Sequence, residues 1–164
     1  MMTTTTTGRA SVRPIPEGYH TLTPSLTVHN AAEAIEFYKR AFGAEEVFRA
    51  QGPDGQQIWH AELQIGDSRV MLNDEFPDMG CRGPHSIGGS PTSLHIYVTD
   101  ADTVFQQAVA AGATVRMPLE DAFWGDRYGR LADPFGHEWA IATRQQELTE
   151  DEMKQRVGQC TAAT

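Results

Sequence analysis

The chain contains an internal repeat with a period of about 70 residues. The tetrapeptide SLTV precedes a helical pattern that ends in FGA, and HIYV precedes a second pattern that ends in AGA. Val28 and Val98, which end the two tetrapeptides, are 70 residues apart, and so are Gly66 and Gly136. Two duplicated units of strand, helix and strands can face each other as curved sheets and enclose a pocket. The repeat therefore points to small-molecule chemistry or small-molecule binding.

The first repeat has the pattern of a βαβββ module. Residues 22–28 alternate between apolar and polar side chains, which predicts a half-buried strand. Asn30 and Glu33 form the capping box of a helix, and Gly43 supplies its C-terminal stop. Three short strands with Asp-Gly and Gly-Asp turns between them are predicted at 46–50, 57–65 and 68–73.

The second repeat follows the same plan. Residues 93–98 alternate, Asp100 caps a helix, and Gly112 ends it. Three strands are predicted at 114–117, 130–132 and 137–143, with a loop over 118–128. The predicted fold class is therefore α+β, with two tandem βαβββ modules that form a cupped mixed sheet around a cavity.

These patterns predict a paired βαβββ domain over 15–143, with one extension on each side. Residues 1–14 are predicted to be a disordered tail, and 144–164 a C-terminal helix and tail opened by a Thr149–Glu152 capping box. Within the domain the modules cover about 15–74 and 92–143. The Pro- and Gly-rich linker 75–91 is predicted to lack regular structure and to serve as a lid or module connector.

Composition excludes several classes of function. The chain has 13 Lys and Arg against 22 Asp and Glu, a net charge of −9, which argues against nucleic acid as a partner. No apolar stretch approaches the roughly 20 residues of a membrane span, and the threonine-rich N-terminus lacks the apolar core of a secretory signal. Cys81 and Cys160 stand outside any zinc or redox motif. We expect a cytoplasmic protein that meets neither nucleic acid nor membrane.

Four motifs give the chain a family resemblance over about 15–143. They are AIEFY followed by FGA, WHAEL followed by IGDS, FWGDRYG, and DPFGH. With them the chain resembles the vicinal oxygen chelate superfamily, which includes glyoxalase I, bleomycin-resistance proteins and extradiol dioxygenases, and most closely its PhnB-like branch. The resemblance implies the paired βαβββ fold and a homodimer, with modules paired within one chain or swapped between two.

The metal ligands of that superfamily are missing at the corresponding positions. Metal-dependent members take one ligand from the first strand and one from the last strand of each module. The resemblance carries these ligands to Thr23, to Val70 or Leu72, to Ser93 and to Ala140. None of these side chains is a good ligand for a divalent cation. We therefore assign no metal residue and expect no cofactor.

Two ionisable side chains lie close to the missing ligands. His95 follows Ser93 by two residues and Glu138 precedes Ala140 by two, so the strand period places each on the predicted cavity face. His95 and Glu138 are the catalytic candidates, as an acid–base pair or as ligands of a displaced divalent metal. The alternative is a polar cavity lining without chemistry.

Further strand residues are candidates for ligand binding. His60 and Glu62 occupy the polar face of one strand. They belong to the site if that face is concave, and are merely solvated if it is the outer one. Asn73 and Tyr97, on other strands, are also candidate ligand-binding residues.

The FWGDRYG segment is rich in binding chemistry for a connector. Trp124 and Tyr128 could stack on a flat ligand, and Arg127 could clamp a carboxylate or a phosphate. Alternatively, the aromatic rings plug the open end of the sheet while Asp126 pairs with Arg127.

Three hypotheses for function follow. The first is a glyoxalase/bleomycin-resistance-like protein that binds a small organic molecule in the cleft between modules without a metal. The second is a lyase, isomerase or dioxygenase with a divalent metal on displaced ligands such as His95 and Glu138. The third is a non-catalytic interaction module whose cleft is filled by its own side chains.

Overall fold

A computed structural model describes residues 12–161, with side chains for residues 12–159. The first eleven residues of the predicted tail lie outside this range. No helix in the described part of the chain is both long and apolar enough to cross a membrane.

The secondary structure repeats one βαβββ order twice. The first module comprises β1 (Ser25–Val28), α1 (Ala31–Phe42), β2 (Glu45–Gln51), β3 (Ile58–Ile65) and β4 (Ser68–Asp74). The linker contains a 3-10 turn (Pro77–Met79) and the one-turn helix α2 (Pro84–Ile87). The second module comprises β5 (Ser93–Tyr97), α3 (Ala101–Ala111), β6 (Thr114–Asp121), β7 (Asp126–Ala132) and β8 (Glu138–Arg144), and α4 (Glu150–Thr161) follows it.

Each module forms a four-stranded mixed sheet. The strand order is β1-β4-β3-β2 in the first sheet and β5-β8-β7-β6 in the second. The pairs β1–β4 and β5–β8 are parallel, and the other pairs are antiparallel. The predicted α+β fold of two tandem βαβββ modules is confirmed.

One apolar core joins the two modules through their helices. Helix α1 packs on the strands of the first sheet and also contacts α3. The Phe42 ring lies 4.5 Å from the ring of Trp139, which belongs to β8. Tyr38 of α1 is fully buried and donates a hydrogen bond to Asp133 in the β7–β8 turn at 2.7 Å. Each sheet therefore has one face against the shared core and one face directed outward.

Capping side chains start helices α1 and α3 as predicted. Asn30 Oδ1 accepts the backbone N–H of Glu33, and Asp100 Oδ1 accepts that of Thr103. Gly43 ends α1 in the left-handed conformation at φ 65°, which favours glycine. The predicted capping box at the start of α4 also forms, between Thr149 and Glu152.

The predicted loop over 118–128 was wrong. Strand β6 continues to Asp121 and β7 begins at Asp126, so the connection is only four residues long. The predicted strand ended just before Pro118, but β6 is an edge strand with a register shift between Met117 and Glu120 and continues past this proline. A proline without an N–H is tolerated at such a site.

Two smaller predictions also fail. The linker does form regular turns, because Pro77 and Pro84 each stand at the start of a helical turn, where a missing N–H has no consequence. Alternation along β3 also predicts Trp59 on the apolar face with Ala61 and Leu63, but Trp59 is 54% exposed and Ile58 is buried instead. A register shift between Ala50 and Gln51 on the neighbouring strand accompanies this difference.

Candidate ligand-binding site

Strand alternation divides the predicted residues of the second sheet between its two faces. Leu131, Trp139 and Ile141 are buried against the helices. The residues that alternate with them point to the outward face, and these include the candidates His95, Tyr97, Tyr128 and Glu138. Residue Arg127 follows the opposite alternation and lies on the helix side.

Four rings on this outward face form a continuous aromatic layer, which we call the aromatic shelf. It consists of His95, Tyr97, Trp124 and Tyr128. The His95 ring centroid lies 4.7 Å from that of Tyr97 and 5.8 Å from that of Tyr128. The Trp124 and Tyr128 centroids are 5.0 Å apart. The structure thus brings four of the sequence-predicted residues together.

Asp126 fixes the shelf from beneath, although the sequence analysis did not assign it to the site. Its side chain is only 3% exposed. Oδ2 accepts hydrogen bonds from the Tyr97 hydroxyl at 2.9 Å and from Trp124 Nε1 at 3.1 Å. The bond to Asp126 raises the pKa of Tyr97, so that this hydroxyl remains a donor. Asp126 and Tyr128 are two residues apart. If this segment had been predicted as a strand, its alternation would have placed Asp126 on the same face as Tyr128.

Arg127 is not part of the shelf. Its guanidinium pairs with Asp102 of α3 at 2.9 Å and with Asp121 of β6 at 3.4 Å. The hydrogen bond to Asp102 raises the pKa of Arg127. Asp126 and Arg127 lie on opposite faces, so the alternative prediction that they pair with each other is wrong.

Glu138 shares the outward face with His95 but forms ion pairs with two arginines instead. Glu138 Oε1 lies 3.2 Å from Arg116 Nε, and Oε2 lies 3.8 Å from Arg130 Nη2. In register, His95 lies beside Ala140, whereas Glu138 lies beside Ser93. The two catalytic candidates make no hydrogen bond to each other, and each has other neighbours.

The remaining candidates lie on the outward face of the first sheet. His60 Nε2 is 3.1 Å from Glu62 Oε1, and Asn73 Nδ2 donates to the Asp74 carbonyl at 2.8 Å. The Tyr19 hydroxyl lies beside Glu62, although its geometry falls short of a hydrogen bond. Tyr19 and then His60 hold the pKa of Glu62 below its usual value, while burial and Glu62 raise the pKa of Tyr19 to about 12.

A cavity of about 770 Å³ adjoins the shelf at the junction of the modules. His95 and Tyr97 line it from the edge strand β5. Apolar side chains of both modules make up most of its wall: Leu22, Phe42, Ile65, Val70, Leu94, Ile96, Val98, Val104 and Trp139. This volume lies within the range of roughly 300–1,000 Å³ that is usual for small-molecule sites.

The family model of the Glyoxalase/Bleomycin resistance protein/Dioxygenase superfamily matches residues 19–141, which include both modules and the cavity between them. The chain belongs to this superfamily. It is 51% identical over 137 residues to an uncharacterised protein of Mycobacterium tuberculosis, a match that covers 81% of this chain and 79% of that protein.

Solved structures of other proteins share the fold. TioX from Micromonospora sp. ML1 is 30% identical, with a TM-score of 0.61 over 75% of this chain and 97% of TioX. A PhnB protein from Bacillus cereus is 22% identical, with a TM-score of 0.59 over 76% of this chain and 99% of that one. At that identity the second likeness shows the fold alone.

The residues of this superfamily member do not fit the divalent metal of its metal-dependent relatives. Val70 and Leu72 are buried on the helix side, so neither could reach the outward face. Ala140 has no donor atom, and the Thr23 hydroxyl precedes β1 and donates to the His20 carbonyl. The described residues contain no group of three His, Cys, Asp or Glu side chains arranged to hold a metal ion.

Proposed function

We propose that the chain binds a small, flat organic molecule on the aromatic shelf and in the adjoining cavity, without a metal ion. The observation that carries this proposal is the shelf itself, with four rings in contact and a buried carboxylate that fixes two of them. Flat aromatic faces attract other rings by stacking and by burial of apolar area.

The fixed geometry of the shelf favours binding over passive exposure. A ring that is already held in place loses little conformational freedom when a ligand stacks on it. Asp126 provides this hold for Tyr97 and Trp124 through two hydrogen bonds. The Tyr97 side chain is nevertheless 63% exposed, so its ring is available to a ligand.

The two alternative functions have less support. The donor set for a metal is poor, and Glu138 is already paired with two arginines. An interaction module with a filled cleft is difficult to reconcile with a cavity of about 770 Å³. Binding without metal chemistry agrees best with these contacts.

Replacing Tyr128 by alanine is expected to weaken binding of flat aromatic compounds by roughly three- to ten-fold, which corresponds to one lost ring contact. The ring of Tyr128 contacts both His95 and Trp124, so its loss divides the shelf. Isothermal titration calorimetry with a panel of aromatic compounds of one to three rings measures the change.

Phe48→Ala is the matched control, because Phe48 is a half-exposed ring on the outward face of the first sheet. This variant is expected to bind the same compounds as the unmodified protein does. Equal losses in the two variants, or no loss in Tyr128→Ala, would contradict the placement of the ligand on the shelf.

We also propose that the protein is a homodimer. The strands expose large apolar side chains, including Trp59 and Met117, and in the described part of the chain both sheets end in edge strands without a partner. Such surfaces and edges are usually covered. Sedimentation equilibrium is expected to give twice the mass of the chain, and a monomer at 100 μM, roughly the scale of weak association, would contradict this.

A further inference from the structure

Arg69 carries a positive charge that the described residues leave without a close partner. Its Nε and Nη1 atoms are buried and make no hydrogen bond to any described residue. Arg116 and Arg127, by contrast, each pair with a carboxylate. Buried guanidinium groups without an acceptor are unfavourable, and native proteins seldom leave them so.

The residues around Arg69 shield it without neutralising it. The Tyr19 ring centroid lies 5.8 Å from Cζ, and the backbone of Gly18 lies against the guanidinium. A Cβ on residue 18 would approach Nε and Nη2 to 3.2 Å, and φ at this position is +82°, so glycine suits this close cover. The charge of Arg69 helps to lower the pKa of Glu62, but the close contact of the Glu62 carboxylate is with His60.

Arg69 also lines the cavity beside the aromatic shelf. Most of the wall is apolar, and its polar residues besides Arg69 include His20, Asp67 and Ser68. The nearby Asp67 carboxylate already accepts the hydroxyl of Ser68 at 2.9 Å. An apolar cavity with a single unpaired guanidinium suits a molecule with an apolar body and one acidic group.

On the basis of the proposed function, we propose that Arg69 binds the carboxylate of the ligand while its aromatic body occupies the cavity and the shelf. Nη2 is not among the buried atoms of the guanidinium, so it is the donor that a carboxylate in the cavity reaches, and the positive charge of Arg69 compensates that of the carboxylate. The ligand class is therefore an aromatic carboxylic acid, in spite of the overall charge of −9.

Matched pairs of ligands test this site. Each pair is an aromatic carboxylic acid and its carboxamide, with the same rings and nearly the same shape. Calorimetry at pH 7.5, roughly three units above the pKa of such acids so that they are ionised, is expected to show that the acid binds at least about ten-fold more tightly than the amide, as for a desolvated charge-assisted pair. Arg69→Met is expected to remove this preference and to leave the affinity of the amide within about two-fold.

Two further variants keep the test specific. Arg82→Met removes the charge of an exposed linker arginine and is expected to change neither affinity. Arg69→Lys keeps the charge but lacks the Nη2 donor, and is expected to retain a smaller preference for the acid. Circular dichroism shows whether each variant is folded.

The failures are distinguishable. If neither the acids nor the amides bind to the unmodified protein, the proposed function fails and the carboxylate site fails with it. If both bind equally well and the Arg69 variants behave like the unmodified protein, the ligand site stands and the role of Arg69 is overturned.

Discussion

Replacing Asp133 by alanine is expected to lower the free energy of unfolding by roughly 3–5 kcal/mol, because several buried donors lose their acceptor together. The Asp133 side chain is only 5% exposed. One oxygen accepts the Tyr38 hydroxyl at 2.7 Å and Trp139 Nε1 at 2.9 Å. The other accepts the backbone N–H groups of Phe135 and His137, both at 2.9 Å.

One of these four bonds, from Tyr38, joins parts of the protein that are distant in sequence. Tyr38 belongs to α1 of the first module, whereas Trp139 belongs to β8 of the second. Asp133 therefore stabilises both its own turn and the packing of one module on the other. Burial, followed by the Asp133 charge, raises the pKa of Tyr38 well above its usual value, so the hydroxyl keeps its proton.

Urea unfolding followed by circular dichroism measures this change. Tyr38→Phe is the matched control, since it removes one of the four donors and leaves the carboxylate three others; it is expected to lose about 1 kcal/mol. A loss below about 1 kcal/mol in Asp133→Ala would mean that the four donors find other acceptors and that the turn does not depend on this carboxylate.

Asp74→Ala is expected to lower the free energy of unfolding by roughly 2–4 kcal/mol, because two buried backbone N–H groups lose their acceptor. Asp74 Oδ1 accepts the N–H of Ala31 at the start of α1, and Oδ2 accepts that of Ile58 at the start of β3, both at 2.7 Å. The side chain thus joins the first helix of its module to two strands.

The second module provides the matched comparison. There Thr143 Oγ1 accepts the N–H of Ala101 at the start of α3 at 2.8 Å and donates to the Val98 carbonyl. Thr143→Ala is expected to lose only about 1–2 kcal/mol, since one N–H group rather than two loses its acceptor. Equal losses in the two variants, measured by the same urea titration, would contradict the assignment of the difference to the second N–H group.

The repeat and the helix boundaries could be predicted because their causes are local. Asn30 and Asp100 cap helices that begin one residue later, and Gly43 ends α1 through its own backbone conformation. The strand at 93–98 showed its alternation directly, and in the structure His95 and Tyr97 share one face of β5.

The rest of the site depends on contacts distant in sequence. Pro118 indicated the end of a strand. It is tolerated inside β6 only because this strand lies at the sheet edge and has a shifted register, and neither feature can be read from the local sequence. Residues 126 and 127 were predicted to lie in a loop. The opposite orientations of Asp126 and Arg127 follow only from their place in β7. The burial of the Arg69 guanidinium could not be predicted either, because it depends on Gly18 and Tyr19, about fifty residues earlier in the chain.

The indole N–H signals of the three tryptophans offer the most direct measurement of the central claim, that ligands bind on the aromatic shelf. Trp124 belongs to the shelf, Trp139 lines the cavity, and Trp59 lies half-exposed on strand β3 of the other sheet. In a ¹⁵N-resolved NMR titration with an aromatic ligand, we expect the Trp124 signal to shift most, the Trp139 signal to follow, and the Trp59 signal to stay in place. A titration that shifts Trp59 and leaves Trp124 unmoved would contradict the account.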